Sequence, residues 1–288
     1  MENNKKCYYY KKFLFDNGLL DNIVDCCIVL LMENNKIREK SILKTIKEYK
    51  LCKNTVIQYN KGFKKCNKKL YKQTSIYDLN DAYHTAFKYS DLNKYKNILI
   101  LEDDVIFDNN IKNPKIIKDI ESLYKNEDVS MFHLGSHNFI LYPRYLINNY
   151  YNCRKLFVVY QSHANIYSEK FRKIFNKEYE SGKRLLPFDQ DFFSLKYGNI
   201  YSYNKQLAFQ PMDETENKEN LKFMGVNIWK LILFFYKNIL NLDIKNKPIE
   251  SSNKIFKFFF FINILLYVLL LLIIFIILYK LKKLIKLK

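Results

Sequence analysis

The sequence is short of arginine, with 5 against 43 lysines, and it has no C-x-x-C pair and no N-x-[ST] sequon among its 32 asparagines. Without C-x-x-C spacing there is no cysteine-type metal site. The six cysteines, Cys7, Cys26, Cys27, Cys52, Cys66 and Cys153, show no paired framework, which predicts a reducing compartment. The missing sequons point the same way, since chance would supply about two. No zinc finger, RNA-binding motif or internal repeat is present. The net charge of +19 therefore does not argue for nucleic acid; lysine in excess beside abundant Asn, Ile, Tyr and Phe reads as composition bias and a solvated surface. The first long apolar run, "CCIVLLM" at 26–32, has only seven residues between Asp25 and Glu33, so no signal peptide is visible and the amino-terminal region is expected to start and stay in the cytosol.

One long apolar run is present. Residues 258–279, "FFFFINILLYVLLLLIIFIILY", are 22 residues with no charge and one amide, Asn263. At 1.5 Å per residue they span about 33 Å, against a hydrocarbon core of about 30 Å, which predicts a transmembrane helix. From Asp243 onward nine lysines face one Asp and one Glu, a cluster suited to anionic headgroups. The positive-inside rule favours a cytosolic tail, because Lys280, Lys282, Lys283, Lys286 and Lys288 outnumber Lys254 and Lys257 before the helix. The missing signal favours a cytosolic domain instead.

Along the chain, residues 1–20 read as an irregular or short helical extension. A globular α/β unit over 21–220, a juxtamembrane segment over 221–257, the helix over 258–279 and a Lys-rich tail over 280–288 follow. "DCCIVLLM" (25–32) is a buried strand, "NNKIREKSILKTIKEYK" (34–50) an amphipathic helix, "NTVIQYN" (54–60) a second strand and "SIYDLNDAYHTAFKYSDL" (75–92) a second helix. This alternation opens a doubly wound α/β domain. "VSMFHLG" (129–135) and "KLFVVYQSHANIYS" (155–168) are further strand segments, and "EKFRKIFNKEYESG" (169–182) a helix ended by Gly182. "NIWKLILFFYKNIL" (227–240), interrupted by Lys230 and Lys237, is too short to span and suits a membrane surface or a cover for the core.

The chemistry concentrates in "ILILEDDVIF". The apolar run Ile98–Leu101 reads as a strand buried on both faces, as in the middle of a parallel sheet, so Glu102, Asp103 and Asp104 fall at its carboxyl end, where open α/β sheets bind ligands. A period of two turns Glu102 and Asp104 one way and Asp103 the other. Two such charges some 7 Å apart repel by roughly 2 kcal/mol at an effective dielectric of 20, and a divalent cation would offset that. A second acidic pair, Asp189 and Asp191, lies in "LLPFDQDFF". Both motifs also fit a plainer role, acids that cap a helix or face water, and for His133 and His137 a structural role is the simpler expectation.

"ILILEDDVIF" resembles the strand and metal motif of glycosyltransferase family 25 and its relatives. "YDLNDAYHTAF", "FHLG", "SHANIYS" and "LLPFDQDFF" occur in that family's order, and "NKGFKKC" and a late "ETEN" (214–217) resemble glycosyltransferase-like proteins of large DNA viruses. The likeness covers about residues 25–220. It implies a GT-A fold, a Rossmann-like domain binding a nucleotide sugar, most simply a uridine diphosphate sugar, through Mn2+ or Mg2+ and transferring it with inversion to a glycan, protein or lipid. Asp103, Asp104 and Glu102 are then the metal ligands; Arg38, His84 and His163, with Glu102, contact the donor; and Asp189 or Asp191 is the base. The family's Asn-Leu pair and following Arg become "VLLMENNKIR" here, so Arg38 matches approximately, and the Gly-Cys-x-x-Ser-His pattern is reduced to His84. A membrane-anchored, inactive glycan-binding relative and, more distantly, a metal-dependent phosphohydrolase are the alternatives.

Overall fold

Tyr8–Leu14, inside the stretch expected to be irregular, forms strand β1, and the expected alternation follows it: β2 (Cys26–Met32), α1 (Lys36–Tyr49), β3 (Asn54–Asn60), α2 (Ser75–Leu92) and β4 (Asn97–Glu102). The computed structural model describes residues 7–135, 138–144, 151–183, 188, 192–211, 222–223, 226–227, 234–243 and 246–285. Beyond β4 come β5 (Ile106–Phe107), α3 (Pro114–Asn126), β6 (Met131–His133), β7 (Asn138–Leu141), β8 (Cys153–Tyr160), β9 (Ala164–Ser168) and α4 (Glu169–Glu180). β10 (Phe192–Phe193), β11 (Ile200–Tyr203), β12 (Ala208–Phe209) and the long helix α5 (Pro248–Ile285) complete the elements used below. Asp189, Asp191, His137 and the "ETEN" stretch lie outside the described residues, as do residues 228–233 of the 227–240 segment; in the rest of it Phe235–Ile239 forms a short π-helical turn, with Tyr236 buried against Leu242 and Ile255.

The α/β class is as expected, but the sheet is mixed. β3, β2 and β4 are parallel neighbours, whereas β1 joins β3, and β9 joins β4, in antiparallel fashion. β4 is thus not in the middle of a parallel sheet. It is buried on both faces all the same, because helices cover each side. Alternation in β2 sorts the core into two layers: Cys27, Val29 and Leu31 pack with Ile42 and Ile46 of α1 and Ile116, Ile120 and Leu123 of α3. Cys26, Ile28 and Leu30 pack on the other face with Tyr83, Ala86 and Phe87 of α2 and Phe171 and Phe175 of α4.

One cysteine expectation is overturned. Cys7 and Cys66 form a disulfide, with Cα atoms 5.6 Å apart. The pairing of β1 with β3 sets Cys7 beside the residues that leave β3, and the loop beyond Gly62 (φ 75°) turns Cys66 back onto it. Closing a loop of 59 residues is worth about 2–4 kcal/mol. The other four cysteines are free and buried.

Candidate functional site

β2 feeds β3 on one side through α1, and β4 lies on its other side after α2, so the strand order reverses between β2 and β4. Ligands bind outside the carboxyl ends of strands at such a switch point. The chain puts a cation from one side of that crevice against anions from the other. Asn35 caps α1 by accepting the Arg38 backbone N–H, which fixes Arg38 in the first turn just beyond β2. Glu102 ends β4, and Asp103 and Asp104 form the turn after it.

Arg38 Nη1 donates to Asp103 Oδ1 at 2.5 Å, and Nη2 lies 3.5 Å from Asp104 Oδ2. Burial acts to lower the Arg38 pKa, but Asp103 and Asp104 outweigh it, so the guanidinium stays charged. Asp103 turns away from its neighbours, as the strand period predicts, toward Arg38 and the Met32 backbone. Glu102 and Asp104 share the other direction: Gln210 Nε2 is 3.5 Å from Glu102 Oε2 and 3.2 Å from Asp104 Oδ2. Pairing of β12 with β5 brings Gln210 there. Glu102 Oε1 also accepts from Ser162 Oγ at 2.5 Å and from the Tyr83 hydroxyl at 3.1 Å.

Of the residues named from sequence, Arg38, Glu102, Asp103, Asp104 and His163 are brought together. His163 is buried beside them, its pKa lowered by burial and opposed by Asp104. Gly135 makes room for it, since a Cβ there would lie 2.9 Å from His163 Nε2 and 1.8 Å from the Ala208 carbonyl oxygen. His84 is held elsewhere, between α2 and α4, by Asn176 Oδ1 at 3.0 Å and a stack on Tyr179. Its neighbour Tyr83 reaches Glu102 instead. His133 is buried, neither ring nitrogen has a hydrogen-bond partner among the described residues, and burial with His163 nearby pushes its pKa down to about 3. It is a neutral packing group at ordinary pH.

Among the described residues no three His, Cys, Asp or Glu side chains converge as a metal cage. Glu102 and Asp104 do converge, at the Gln210 amide, and a hard divalent cation is commonly held by one or two carboxylates plus substrate phosphates. That pair fits such an ion. Asp103, engaged by Arg38, does not share the pair's direction.

Burial of Asp103, with Asp104 adding and Arg38 subtracting, pushes its pKa up from 3.8 to about 6. A folded-state pKa above the unfolded one means that its favourable contribution is full below about pH 4 and is lost as pH rises through about 6. At pH 7.5 the buried carboxylate therefore holds the fold back by on the order of 3 kcal/mol relative to its acid form. Asp103→Asn is expected to be more stable than the parent by about 1–2 kcal/mol at pH 7.5, part of the gain being lost with the Arg38 pair, and equal to it near pH 4. Urea titrations at the two pH values check this; a variant less stable at pH 7.5 would show that the ion pair outweighs desolvation.

Comparison with known proteins adds a general likeness of shape. No family model and no curated protein matches the chain. Among solved structures, a glycosyltransferase involved in glycosylation of the major capsid of PBCV-1 is 11% identical with a TM-score of 0.38, covering 66% of this chain and 95% of that one. A protein from STIV is 12% identical with a TM-score of 0.36, covering 66% and 86%. UDP-glucose pyrophosphorylase complexed with UDP-glucose is 13% identical with a TM-score of 0.35, covering 64% and 74%.

Proposed function

We propose that the chain is a glycosyltransferase that moves a sugar from a nucleoside diphosphate to a glycan, protein or lipid acceptor. The observation that carries this reading is the meeting of Arg38 with the Glu102–Asp103–Asp104 turn at the switch point of the sheet. Three carboxylates and one guanidinium leave two formal negative charges, which would repel a diphosphate. A divalent cation held by Glu102 and Asp104 would cancel those two charges, and when bound it supplies Lewis-acid stabilisation of the departing phosphate. Arg38 adds a fixed positive charge on the same side, and Tyr83 and Ser162 keep Glu102 in place. The resemblance to family 25 supplies the rest of the proposal: a uridine diphosphate donor, inversion, and Asp189 or Asp191 as the base that takes the acceptor's proton.

The test is incubation of the full chain in detergent with a panel of nucleotide sugars and Mn2+ or Mg2+, reading nucleoside diphosphate release. Release that is lost in Asp189→Asn more than in Asp191→Asn is expected; the reverse order moves the base to Asp191. The direct Arg38 contacts to both Asp103 and Asp104 favour a second reading, a binding protein that has lost turnover. Donor binding without release would select it, and neither binding nor release would remove both.

Among the described residues one helix, Pro248–Lys282, is long and apolar enough to cross a membrane. The Cys7–Cys66 disulfide and the five lysines that follow the apolar run 258–279 support a domain on the non-cytosolic side rather than the cytosolic one. Digestion of the domain by protease added to the cytosolic face of sealed membranes would overturn this facing.

A further inference from the structure

The one amide of the apolar run does not face lipid. Asn263 is 1% exposed, and its side chain closes the open edge of β7, a strand whose described pairing is with β8 alone. Asn263 Oδ1 accepts the Leu141 backbone N–H at 2.7 Å, and Nδ2 donates to the Phe139 carbonyl at 2.9 Å. One carboxamide thus pairs with the strand as a neighbouring peptide group would, which removes the hazard of an unpaired edge. One turn further on, Tyr267 donates its hydroxyl to the Leu141 carbonyl.

The docking begins earlier in α5. Ser252 and Gln206 exchange side-chain and backbone hydrogen bonds at 3.2 and 3.3 Å. Phe256 packs on Phe139 at 5.1 Å between ring centroids, and the Arg154 guanidinium lies 4.3 Å from the Phe260 centroid. Ser252, Phe256, Asn263 and Tyr267 lie near one face of α5, while Phe261, Ile262, Ile264, Leu265 and Leu266 are exposed on the others. Past Tyr267 only about 15 residues remain to Lys282, roughly 22 Å of helix, less than the hydrocarbon thickness of about 30 Å. To complete a span, the bilayer must begin alongside the docked turns, near Phe261.

β7 and α5 run the same way: Phe139 meets Phe256 and Asn263, and Leu141 meets Asn263 and Tyr267. The residues after Leu141, Tyr142, Pro143 and Arg144, are thereby carried toward the lipid. Pro143 and Arg144 are exposed, and an arginine, with its apolar stem and charged tip, suits the boundary between headgroups and acyl chains, while the Tyr142 hydroxyl turns back to Ser194 Oγ at 2.7 Å. We infer that the domain is seated directly on the bilayer, the β7 edge and the Tyr142–Arg144 turn lying where the headgroups meet the acyl chains, with Asn263 fixing the helix to the domain in place of a flexible stalk. The partner is the lipid interface itself, and the seating holds whether or not the site transfers sugar.

The test uses the full chain in vesicles of phosphatidylcholine with about one fifth phosphatidylserine. An environment-sensitive fluorophore is attached to Pro143→Cys and, separately, to Lys11→Cys on β1 at the opposite end of the sheet; the native free thiols are buried. Lipids spin-labelled near the headgroup are expected to quench the probe at 143 at least two-fold more than the probe at 11. Asn263→Leu, which keeps the run apolar, is expected to remove most of that difference while the chain stays in the membrane, and Tyr267→Phe to remove part of it. Equal quenching at the two positions in the otherwise unaltered chain would overturn the seating, whatever the variants do. Undiminished quenching at 143 in Tyr267→Phe and in any Asn263→Leu that folds would overturn the clamp.

Discussion

Asp104→Ala is expected to lower sugar transfer by 10²-fold or more, on the order of 3 kcal/mol or above, and to abolish the Mn2+ dependence of donor binding, with stability changed by less than about 1 kcal/mol. Asp104 sits in a turn outside the core. It meets the Gln210 amide and is approached by Arg38 at 3.5 Å, so little packing is lost with it. Removing it does take away half of the carboxylate pair that fits a cation and leaves Glu102 alone there. Asp104→Asn should lose nearly as much, because it keeps shape but not charge. Titration calorimetry with a uridine diphosphate sugar, with and without metal, separates the outcomes. Donor affinity that is metal-dependent and equal in parent and variant would sink the role, and with it the assignment of Glu102 and Asp104 as a pair.

The acids were legible because their signal is local: four apolar residues make a buried strand, and whatever follows lies at its mouth. Elements with a strong period were legible for the same reason. The helix expected over 75–92 is Ser75–Leu92, and that expected to end at Gly182 ends at Glu180, with Gly182 at φ 70°. What decides the site's wiring is long-range. Gln210 reaches Asp104 across 106 residues and Ser162 reaches Glu102 across 60, and nothing near either marks it.

A signal for Tyr83 did exist. The buried face of α2 runs through Ala82, Tyr83, Ala86, Phe87 and Ser90, so helical spacing alone aims Tyr83 at the sheet and His84 to its flank. Family likeness drew attention to His84; periodicity pointed to the residue beside it. The same holds for Asn263, a lone amide in an apolar run, which marks the place where α5 is still part of the domain. The edge strand Tyr8–Leu14 carries little alternation, as its burial pattern shows, and the disulfide beside it joins residues 59 apart.

Lys68→Met is expected to destabilise the domain by about 3–5 kcal/mol at pH 7.5, the range for breaking a buried ion pair from one side. In sequence Lys68 is one lysine in "NKGFKKCNKKLYK", a run that reads as solvated surface. In the structure it is almost fully buried, two residues beyond Cys66 of the disulfide, and its Nζ lies 2.5 Å from Asp78 Oδ1, 2.6 Å from the Tyr8 hydroxyl and 2.6 Å from Asn60 Oδ1. Asp81 stands 3.5 Å from the same ammonium and accepts from Tyr8 and Tyr179. Burial and the Asp81 charge push the Tyr8 phenol well above its ordinary pKa, so it remains a donor. Without Lys68 two buried carboxylates would face each other with only hydroxyls and an amide to share, and one of them would have to take up a proton. The loss should therefore shrink as pH falls toward 4, where the protonated form is supplied by the solvent. Adding Asp78→Asn and Asp81→Asn to Lys68→Met should recover much of the stability, since the cluster is then neutral. At about 2–4 °C per kcal/mol the single variant should melt roughly 6–20 °C below the parent in detergent. A shift under about 2 °C would mean that water reaches the cluster and that Lys68 is solvated after all.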